Sequence, residues 1–150
     1  MEEHEVSYNE INFYARGIAR RVQDNENVTH VVGLARGGLV PATVISYALD
    51  KPLLSYGISS YKGSEKTENF HIIQSLNLKK LKEENSNLHI LIVDDICDTG
   101  GTMDEVRNRL SLGDISYTAA CIYTKEKHTH WLHHYGLVVP DDRWIVFPWE

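Results

Sequence analysis

The first regular pattern along the chain is a set of apolar residues at the 3.6-residue spacing of one helix face. The segment Ser7-Tyr8-Asn9-Glu10 precedes them and has the spacing of a capping box, in which a serine and a glutamate close the first turn. The pattern therefore predicts an amphipathic helix that begins after Ser7 and ends near Asp24-Asn25. The apolar positions of this helix are Ile11, Tyr14, Ala15, Ile18 and Val22.

Short apolar and β-branched runs follow, and they alternate with further segments of helical pattern. A helix is predicted over Leu39–Leu49. Pro41 is compatible with its first turn, because the N–H that proline lacks would have no partner there. A second capping box, Thr102-Met103-Asp104-Glu105, predicts a helix that continues through Val106–Leu110. The predicted strands are Thr29–Leu34, Leu53–Ile58, His89–Val93, Ile115–Tyr123 and Trp144–Phe147.

Strands that alternate with helices are typical of an α/β fold with a mainly parallel central sheet and helices on both faces. The chain has 150 residues, about the size of one domain, so we expect a single domain over residues 1–150. From Ser59 to about Leu76 the sequence is polar without a clear period. We expect a long loop there, of the kind that is usually functional or mobile.

Composition and charge narrow the function classes. Hydrophobic residues make up 42% of the chain and charged residues 24%, as in soluble globular proteins. The net charge of −6 argues against a general nucleic-acid binder, which needs a basic face. No apolar run approaches the roughly 20 residues of a membrane span, and the acidic N-terminus does not resemble a signal peptide. Cys97 and Cys121 do not make a disulfide framework, so we expect a reducing cytoplasm.

The densest chemistry follows the strand that begins at His89. Asp94 and Asp95 come at the strand end, where carboxylates accept hydrogen bonds from sugar hydroxyls or hold a divalent cation. A turn that suits a phosphate comes next, because glycines let the backbone approach, threonines add hydroxyls and a helix N-terminus favours an anion. The alternative is an ordinary strand–turn–helix connection with a threonine N-cap. The residues of this turn are Asp98, Thr99, Gly100, Gly101 and Thr102.

A second glycine turn follows the strand that ends at Leu34. Arg36, Gly37 and Gly38 supply one cation and two flexible backbone donors there. A guanidinium suits phosphate oxygens because its planar fork binds two of them at once. The alternative is a plain glycine turn with a solvated arginine. Since both turns follow strands, both are expected at the carboxyl edge of the sheet, where ligands of such folds bind.

The motif from Ile92 to Thr102 resembles the phosphoribosyl-diphosphate-binding motif of type I phosphoribosyltransferases. Further segments, in the same order along the chain, resemble the xanthine–guanine branch of that family. The resemblance implies the type I phosphoribosyltransferase fold, with a small hood and a flexible flap loop. The further segments are Ala35–Pro41, Ile58–Tyr61, Tyr123–Lys125, Trp144-Ile145 and Pro148–Glu150.

The resemblance also implies a role for each candidate residue at the sugar diphosphate. Arg36, Gly37 and Gly38 would form the pyrophosphate loop, and the polar loop with Ser60 and Tyr61 would be a flap that excludes water. Asp94 and Asp95 would hold the ribose, and Asp95 would be the residue closest to a Mg²⁺ cofactor.

At the base, the implied roles fall to four residues. Asp98 would face the purine N7 as acceptor or general base, and Lys125 would donate to the 6-oxo group. Trp144 would stack on the purine while the Ile145 backbone reads its 2-position edge. Many enzymes of the branch have an acidic residue where this chain has Val146, which leaves the preference among xanthine, guanine and hypoxanthine open.

The expected function is therefore purine salvage by phosphoribosyl transfer from phosphoribosyl diphosphate to a 6-oxopurine, with pyrophosphate released. The family commonly forms homodimers or homotetramers. The alternative is a non-catalytic regulator that keeps the phosphoribosyl-diphosphate site. An orotate or adenine transferase is a further alternative. A phosphotransfer receiver is excluded because only 55 residues follow Asp95, too few for its layout.

A cluster of histidines invites a zinc hypothesis, since an i, i+4 pair on a helix can bind a metal. No carboxylate or cysteine stands at ligand spacing among them, and histidine-rich surface helices need no ligand. We therefore expect no metal there. The cluster comprises His128, His130, His133 and His134.

Overall fold

The computed structural model describes the backbone of residues 2–62 and 68–150, and the side chains of residues 2–59 and 70–150. In chain order its elements are β1 (Glu2–Glu5), α1 (Tyr8–Asn25), β2 (His30–Leu34), α2 (Leu39–Leu49), β3 (Leu53–Lys62), β4 (Glu68–Gln74), α3 (Leu78–Glu84), β5 (His89–Cys97), α4 (Gly101–Leu112), β6 (Ser116–Lys125), a 3-10 helix (Glu126–Trp131), β7 (His134–Val139) and β8 (Arg143–Val146).

The central sheet has six strands in the order β4-β3-β2-β5-β6-β7. The pairs β2–β3, β2–β5, β5–β6 and β6–β7 are all parallel, and only the described pair β3–β4 is antiparallel. The predicted α/β fold with a mainly parallel sheet is therefore confirmed. Because the parallel strands share one direction, the turns that follow β2 and β5 lie at the same edge.

Alternation along β5 shows how the sheet is buried on both faces. Leu91 and Val93 belong to an apolar cluster with α1 and α2, whereas Ile90 and Ile92 belong to a second cluster with α4. Successive side chains of a strand point to opposite faces, so a continuous apolar run is what a doubly covered strand requires.

Helices α1 and α2 form where the sequence predicts them. The Ser7 hydroxyl accepts a hydrogen bond from the Glu10 N–H at 3.1 Å, and α1 ends at Asn25. The bounds of α2, Leu39–Leu49, are the predicted ones. Helix α4 differs in one respect: it begins at Gly101 with Gly100 as N-cap, and no side chain caps it. The predicted capping role of Thr102 was wrong, because the helix starts before that residue.

The expected long loop from Ser59 to Leu76 was wrong. Strand β3 continues to Lys62, β4 pairs with it, and α3 follows with Asn77 as its N-cap. Apolar side chains at Phe70 and Ile72 alternate with polar ones, which is the period of a strand. Residues 63–67 lie outside the described part of the chain. The side chains of Ser60 and Tyr61 also lie outside it, so their predicted role in a flap stays a prediction.

The strand predicted over Trp144–Phe147 forms, as β8, but it does not belong to the main sheet. Strand β8 pairs with β1 in a separate two-stranded parallel sheet, and β7 occupies the edge of the main sheet instead. Neither β1 nor β7 was predicted. Within residues 2–62 and 68–150, no helix is both long enough and apolar enough to cross a membrane.

Candidate active site

The two glycine turns meet because β2 and β5 are neighbours in parallel register, with Gly33 opposite Val93. The turn after β2 contacts the carboxylates at the end of β5. A Cβ atom added at Gly37 would lie 1.9 Å from Oδ2 of Asp95, so no other residue fits without displacing that carboxylate. The Ala35–Arg36 peptide bond is cis. One edge of the sheet thus carries an arginine turn and an acidic pair in direct contact.

Asp94 and Asp95 lie in the second half of β5, and their carboxylates accept hydrogen bonds from backbone N–H groups of the same strand. Oδ1 of Asp94 accepts a hydrogen bond from the Asp95 N–H at 2.9 Å, and Oδ1 of Asp95 accepts one from the Ile96 N–H at 2.8 Å. Burial raises the pKa of Asp94 well above its ordinary value, and the charge of Asp95 adds to the effect. Burial also raises the pKa of Asp95. Hydroxyl donors or a cation would stabilise the ionised pair.

Two cavities adjoin the acidic pair. The larger, of about 640 Å³, is lined by Arg36 and Gly37 on one side and by Asp95 on the other. The smaller, of about 140 Å³, lies between Asp95, Asp98 and the strand β8. Asp95 and Glu150 line both, so the two cavities adjoin. This arrangement can hold an extended ligand with an anionic end at Arg36 and a flat end at β8.

Lys125 contacts two residues that line the smaller cavity, Asp98 and Arg143, and is only 3% exposed. Its Nζ donates to the backbone oxygens of Pro140 at 2.7 Å and Arg143 at 2.6 Å, and lies 3.9 Å from Oδ1 of Asp98. The buried ammonium is therefore compensated, and it fixes the segment that leads into β8. Its predicted bond to a purine oxygen stays a prediction.

Strand β8 presents Trp144 and Ile145 differently. Trp144 is 53% exposed, whereas Ile145 is buried. Both line the smaller cavity, and β1 holds them in register through the pairs Glu3–Trp144 and His4–Ile145. The indole thus has a free face beside Asp98, as stacking on a flat ligand requires.

A family model described as "Phosphoribosyl transferase domain" matches residues 1–150. The chain belongs to the phosphoribosyl transferase domain family. A xanthine-guanine phosphoribosyltransferase of Nitratidesulfovibrio vulgaris (strain ATCC 29579) is 31% identical over 146 residues, which are 97% of this chain and 83% of the relative. One from Idiomarina loihiensis is 29% identical over 97% of this chain and 85% of its own.

Among solved structures, a purine phosphoribosyltransferase of Pyrococcus horikoshii superposes with a TM-score of 0.79 at 27% identity. The match covers 100% of this chain and 95% of that one. The predicted enzyme class, phosphoribosyltransferase, and the predicted fold are thereby confirmed.

The glycine turn after β5, named the phosphate loop for its predicted role, runs from Asp98 to Gly101. Gly100 has a φ of 82°, a left-handed conformation that favours glycine. Oγ1 of Thr99 lies 3.4 Å from the Gly101 N–H, and Thr102 follows in the first turn of α4. The loop begins three residues after Asp95, and its predicted binding of a phosphate stays a prediction.

Several residues of the site were not identified from the sequence, among them Ile96, Arg143 and Phe147, which line the smaller cavity. Trp149 and Glu150 line the larger cavity opposite Arg36, and Trp131 contacts Gly100. Trp149 stacks on Phe147 with ring centroids 4.8 Å apart. The segment Pro148–Glu150 entered the family resemblance, but no pattern in the sequence points to a cavity wall. Nothing in the sequence connects Trp131 with the loop.

The four histidines that are close in the sequence do not form one group of side chains in the structure. His128 and His130 lie on the 3-10 helix, Nδ1 of His133 accepts from the Ala119 N–H at 3.0 Å, and His134 pairs with Glu26 at 3.2 Å. In the part of the chain that is described, no three histidine, cysteine or acidic side chains are grouped to hold a metal ion. His128 and His130 both contact the ring of Trp131, whereas His133 and His134 have partners of their own.

Proposed function

We propose that the chain transfers the phosphoribosyl group of phosphoribosyl diphosphate to a 6-oxopurine, giving a nucleoside 5′-monophosphate and pyrophosphate. The observation that carries this proposal is the contact between the two strand-end turns: the Arg36–Gly38 turn lies against Asp95, and the phosphate loop begins three residues later. A sugar diphosphate needs an anion site on each side of its ribose hydroxyls, and this edge offers that order of groups.

The anomeric carbon of the ribose is expected to pass through an oxocarbenium-like state, as in other glycosyl transfers. The protein then has to position two reactants and manage charge. The phosphate loop holds the 5′-phosphate, and Asp94 and Asp95 accept the ribose hydroxyls. The Arg36 guanidinium and the amides of Gly37 and Gly38 stabilise the negative charge that grows on the leaving pyrophosphate.

The acidic pair fits a Mg²⁺ ion. Carboxylate oxygens are its preferred protein ligands, and Asp95 faces the larger cavity. Among the described side chains, neither Asp94 nor Asp95 has an ion-pair partner. A bound cation would therefore offset the desolvation of the two carboxylates, which raises their pKa values. When bound, Mg²⁺ neutralises charge on the diphosphate. Asp95 would hold it, directly or through water.

The base is proposed to lie in the smaller cavity between Asp98 and Trp144. Asp98 there accepts the proton or hydrogen bond of the purine N7, and the half-exposed Trp144 ring stacks on the purine. The relatives named xanthine-guanine phosphoribosyltransferase support a 6-oxopurine. Lys125 has three N–H donors, of which Pro140 and Arg143 take two, so its third donor, now 3.5 Å from the Asp141 carbonyl oxygen, would bond to the 6-oxo group.

A spectrophotometric assay with phosphoribosyl diphosphate and Mg²⁺ tests the proposal. It is run separately with xanthine, guanine, hypoxanthine, adenine and orotate. Turnover on one of the first three is expected. If adenine or orotate were clearly the best substrate, the transfer chemistry would stand but the base assignment would be wrong. Calorimetric binding of phosphoribosyl diphosphate without turnover on any base would instead identify a regulator.

A further inference from the structure

The indole of Trp131 contacts the phosphate loop at Gly100. A Cβ atom added at Gly100 would lie 1.8 Å from Cζ3 and 2.7 Å from Cη2 of Trp131. The two residues are 31 positions apart in the chain, so the contact is a tertiary one. It meets the loop at the residue with the left-handed conformation, where the chain turns from Asp98 into α4.

The indole is itself held in place. Its face stacks on the ring of His128 with centroids 4.9 Å apart and an interplanar angle of 23°, and His130 meets it edge-on at 5.1 Å. His128 is 7% exposed, and within the described chain neither of its ring nitrogens has a hydrogen-bond partner. The described role of this imidazole is therefore to pack. Trp131 also packs on the apolar cluster that includes Met103 of α4.

The phosphate loop has few other side-chain contacts of its own. The described side-chain hydrogen bond within it is the 3.4 Å contact between Thr99 and Gly101, and the side chain of Asp98 is 47% exposed. A loop that must aim several N–H groups at one anion loses affinity when its backbone is free to move, because preorganised donors need no ordering on binding.

We propose that Trp131, stacked on His128, is a positioning residue for the sugar-phosphate loop of the phosphoribosyl-diphosphate site. This inference rests on the proposed function. It assigns to the 3-10 helix a role in substrate affinity that neither the acidic pair nor the arginine turn supplies. The effect should be larger on phosphoribosyl diphosphate than on the purine, because Trp131 contacts the loop at Gly100 and does not line the cavity beside Trp144, which the loop reaches only through Asp98.

The first test compares Trp131→Ala and Trp131→Phe with a control, Leu81→Ala. Leu81 lies on α3 and packs on the same apolar cluster, so its truncation weakens the fold without touching the loop. For Trp131→Ala, the KM and calorimetric Kd for phosphoribosyl diphosphate should rise about tenfold or more, and the KM for the purine should change less than about twofold. Trp131→Phe should recover part of the loss, and Leu81→Ala should leave both KM values near those of the wild type.

A double-mutant cycle with Gly100→Ala gives a second reading that does not depend on the stability of one variant. In the wild type, Gly100→Ala meets both the indole and the left-handed backbone. In the Trp131→Ala background only the backbone cost remains, so the fold-loss in affinity caused by Gly100→Ala should be smaller there. Equal losses in both backgrounds would overturn the inference.

The outcomes separate the inference from the proposed function. An unchanged Kd for phosphoribosyl diphosphate in Trp131→Ala, or equal rises for sugar phosphate and purine, would overturn the inference while wild-type turnover upheld the function. A wild-type protein that bound phosphoribosyl diphosphate without turnover would refute the transfer reaction, and the Kd comparison would still decide the role of Trp131. Wild-type protein that bound none would overturn both.

Discussion

Polar side chains at the amino ends of the parallel strands (the amino edge) are bonded differently from those at the carboxyl ends (the carboxyl edge). At the amino edge, the ring nitrogens of His89 lie 2.6 Å from the Ser116 hydroxyl and 2.7 Å from that of Thr118. At the same edge, the hydroxyl of Thr29 accepts a hydrogen bond from the His89 N–H at 2.9 Å. At the carboxyl edge, Asp94 and Asp95 accept hydrogen bonds from backbone N–H groups of their own strand, and their carboxyl groups interact with each other.

From this contrast we infer that the amino edge contributes stability and the carboxyl edge contributes chemistry. Side chains at the amino edge bond to each other, so removing the buried Thr118 hydroxyl leaves Nε2 of the half-buried His89 ring without its described partner. The carboxyl edge keeps charged groups whose remaining hydrogen-bonding capacity faces two cavities. Changes at the first edge should therefore reduce stability without affecting turnover, and changes at the second should do the reverse.

The largest effect is expected from Gly37→Ala at the carboxyl edge. The new methyl group would overlap the Asp95 carboxylate at 1.9 Å and displace the acidic pair or the arginine turn. Since misplacement by about 1 Å can cost about 100-fold in rate, we expect kcat/KM to fall at least that far. Gly17→Ala is the matched control, because its nearest neighbour is 3.8 Å away in the middle of α1. It should keep full activity and gain about 0.5–1 kcal/mol in unfolding free energy.

Asp98→Asn should lower kcat by about 100-fold or more, the contribution typical of general acid–base catalysis. The amide keeps the shape of the side chain and its place 3.9 Å from Lys125. Binding of phosphoribosyl diphosphate, measured by calorimetry, should therefore stay within about threefold of the wild type. Equal losses in turnover and binding would argue against proton transfer at this residue.

Asp94→Asn should separate stability from function within a single site. The folded protein raises the pKa of Asp94, so this group favours the folded state below its ordinary pKa, and that contribution is lost as the pH rises through the raised value. Replacing it with a neutral amide at pH 8 should add about 1 kcal/mol to the unfolding free energy in urea. Affinity for phosphoribosyl diphosphate should fall about tenfold. Asp24→Asn, on the exposed end of α1, should change neither quantity.

Thr118→Val at the amino edge should do the opposite. Thr118 is 2% exposed, and the substitution leaves Nε2 of His89 without its described partner. We expect a loss of about 1–2 kcal/mol in unfolding free energy, with kcat/KM within about twofold of the wild type. If Thr118→Val impaired turnover as strongly as Gly37→Ala, the proposed division between the two edges would be wrong.

The smallest expected effect is a pH dependence of the amino edge. Burial lowers the pKa values of His30 and His89 in the folded protein. The unfolded chain therefore binds more protons as the pH falls below about 6.5, and the unfolding free energy decreases from there toward the lowered folded pKa values. Urea unfolding between pH 7.5 and 5.5 measures the slope. His89→Gln should flatten part of it, and an unchanged slope would contradict the assignment to His89.

Local signals were sufficient for much of the fold. The Ser7 cap and the spacing from Ile11 to Val22 define α1, and the apolar run into Asp94 defines the central strand. They also placed both glycine turns at one edge, since parallel strands that end in glycine turns present them together. What these signals describe is the chemistry of each segment with its own neighbours in the chain.

The rest depends on partners distant in the sequence. Glu2–Glu5 has no strand pattern, and it forms β1 because β8 offers it a register. The contact of Trp131 with Gly100 and the carbonyl contacts of Lys125 exist only once β5, β6 and the last segment are in place. Tertiary context decides such features, and no period or motif in the chain encodes them.

The most direct test of the central claim is the stoichiometry of products formed at the carboxyl edge. Wild-type protein is incubated with Mg²⁺, phosphoribosyl diphosphate and guanine, xanthine or hypoxanthine, and pyrophosphate and nucleoside monophosphate are quantified by chromatography. We expect equal amounts of the two products with at least one base, no pyrophosphate without a base, and loss of both products in Gly37→Ala. Pyrophosphate release that did not depend on the base, or unchanged product formation by Gly37→Ala, would contradict it.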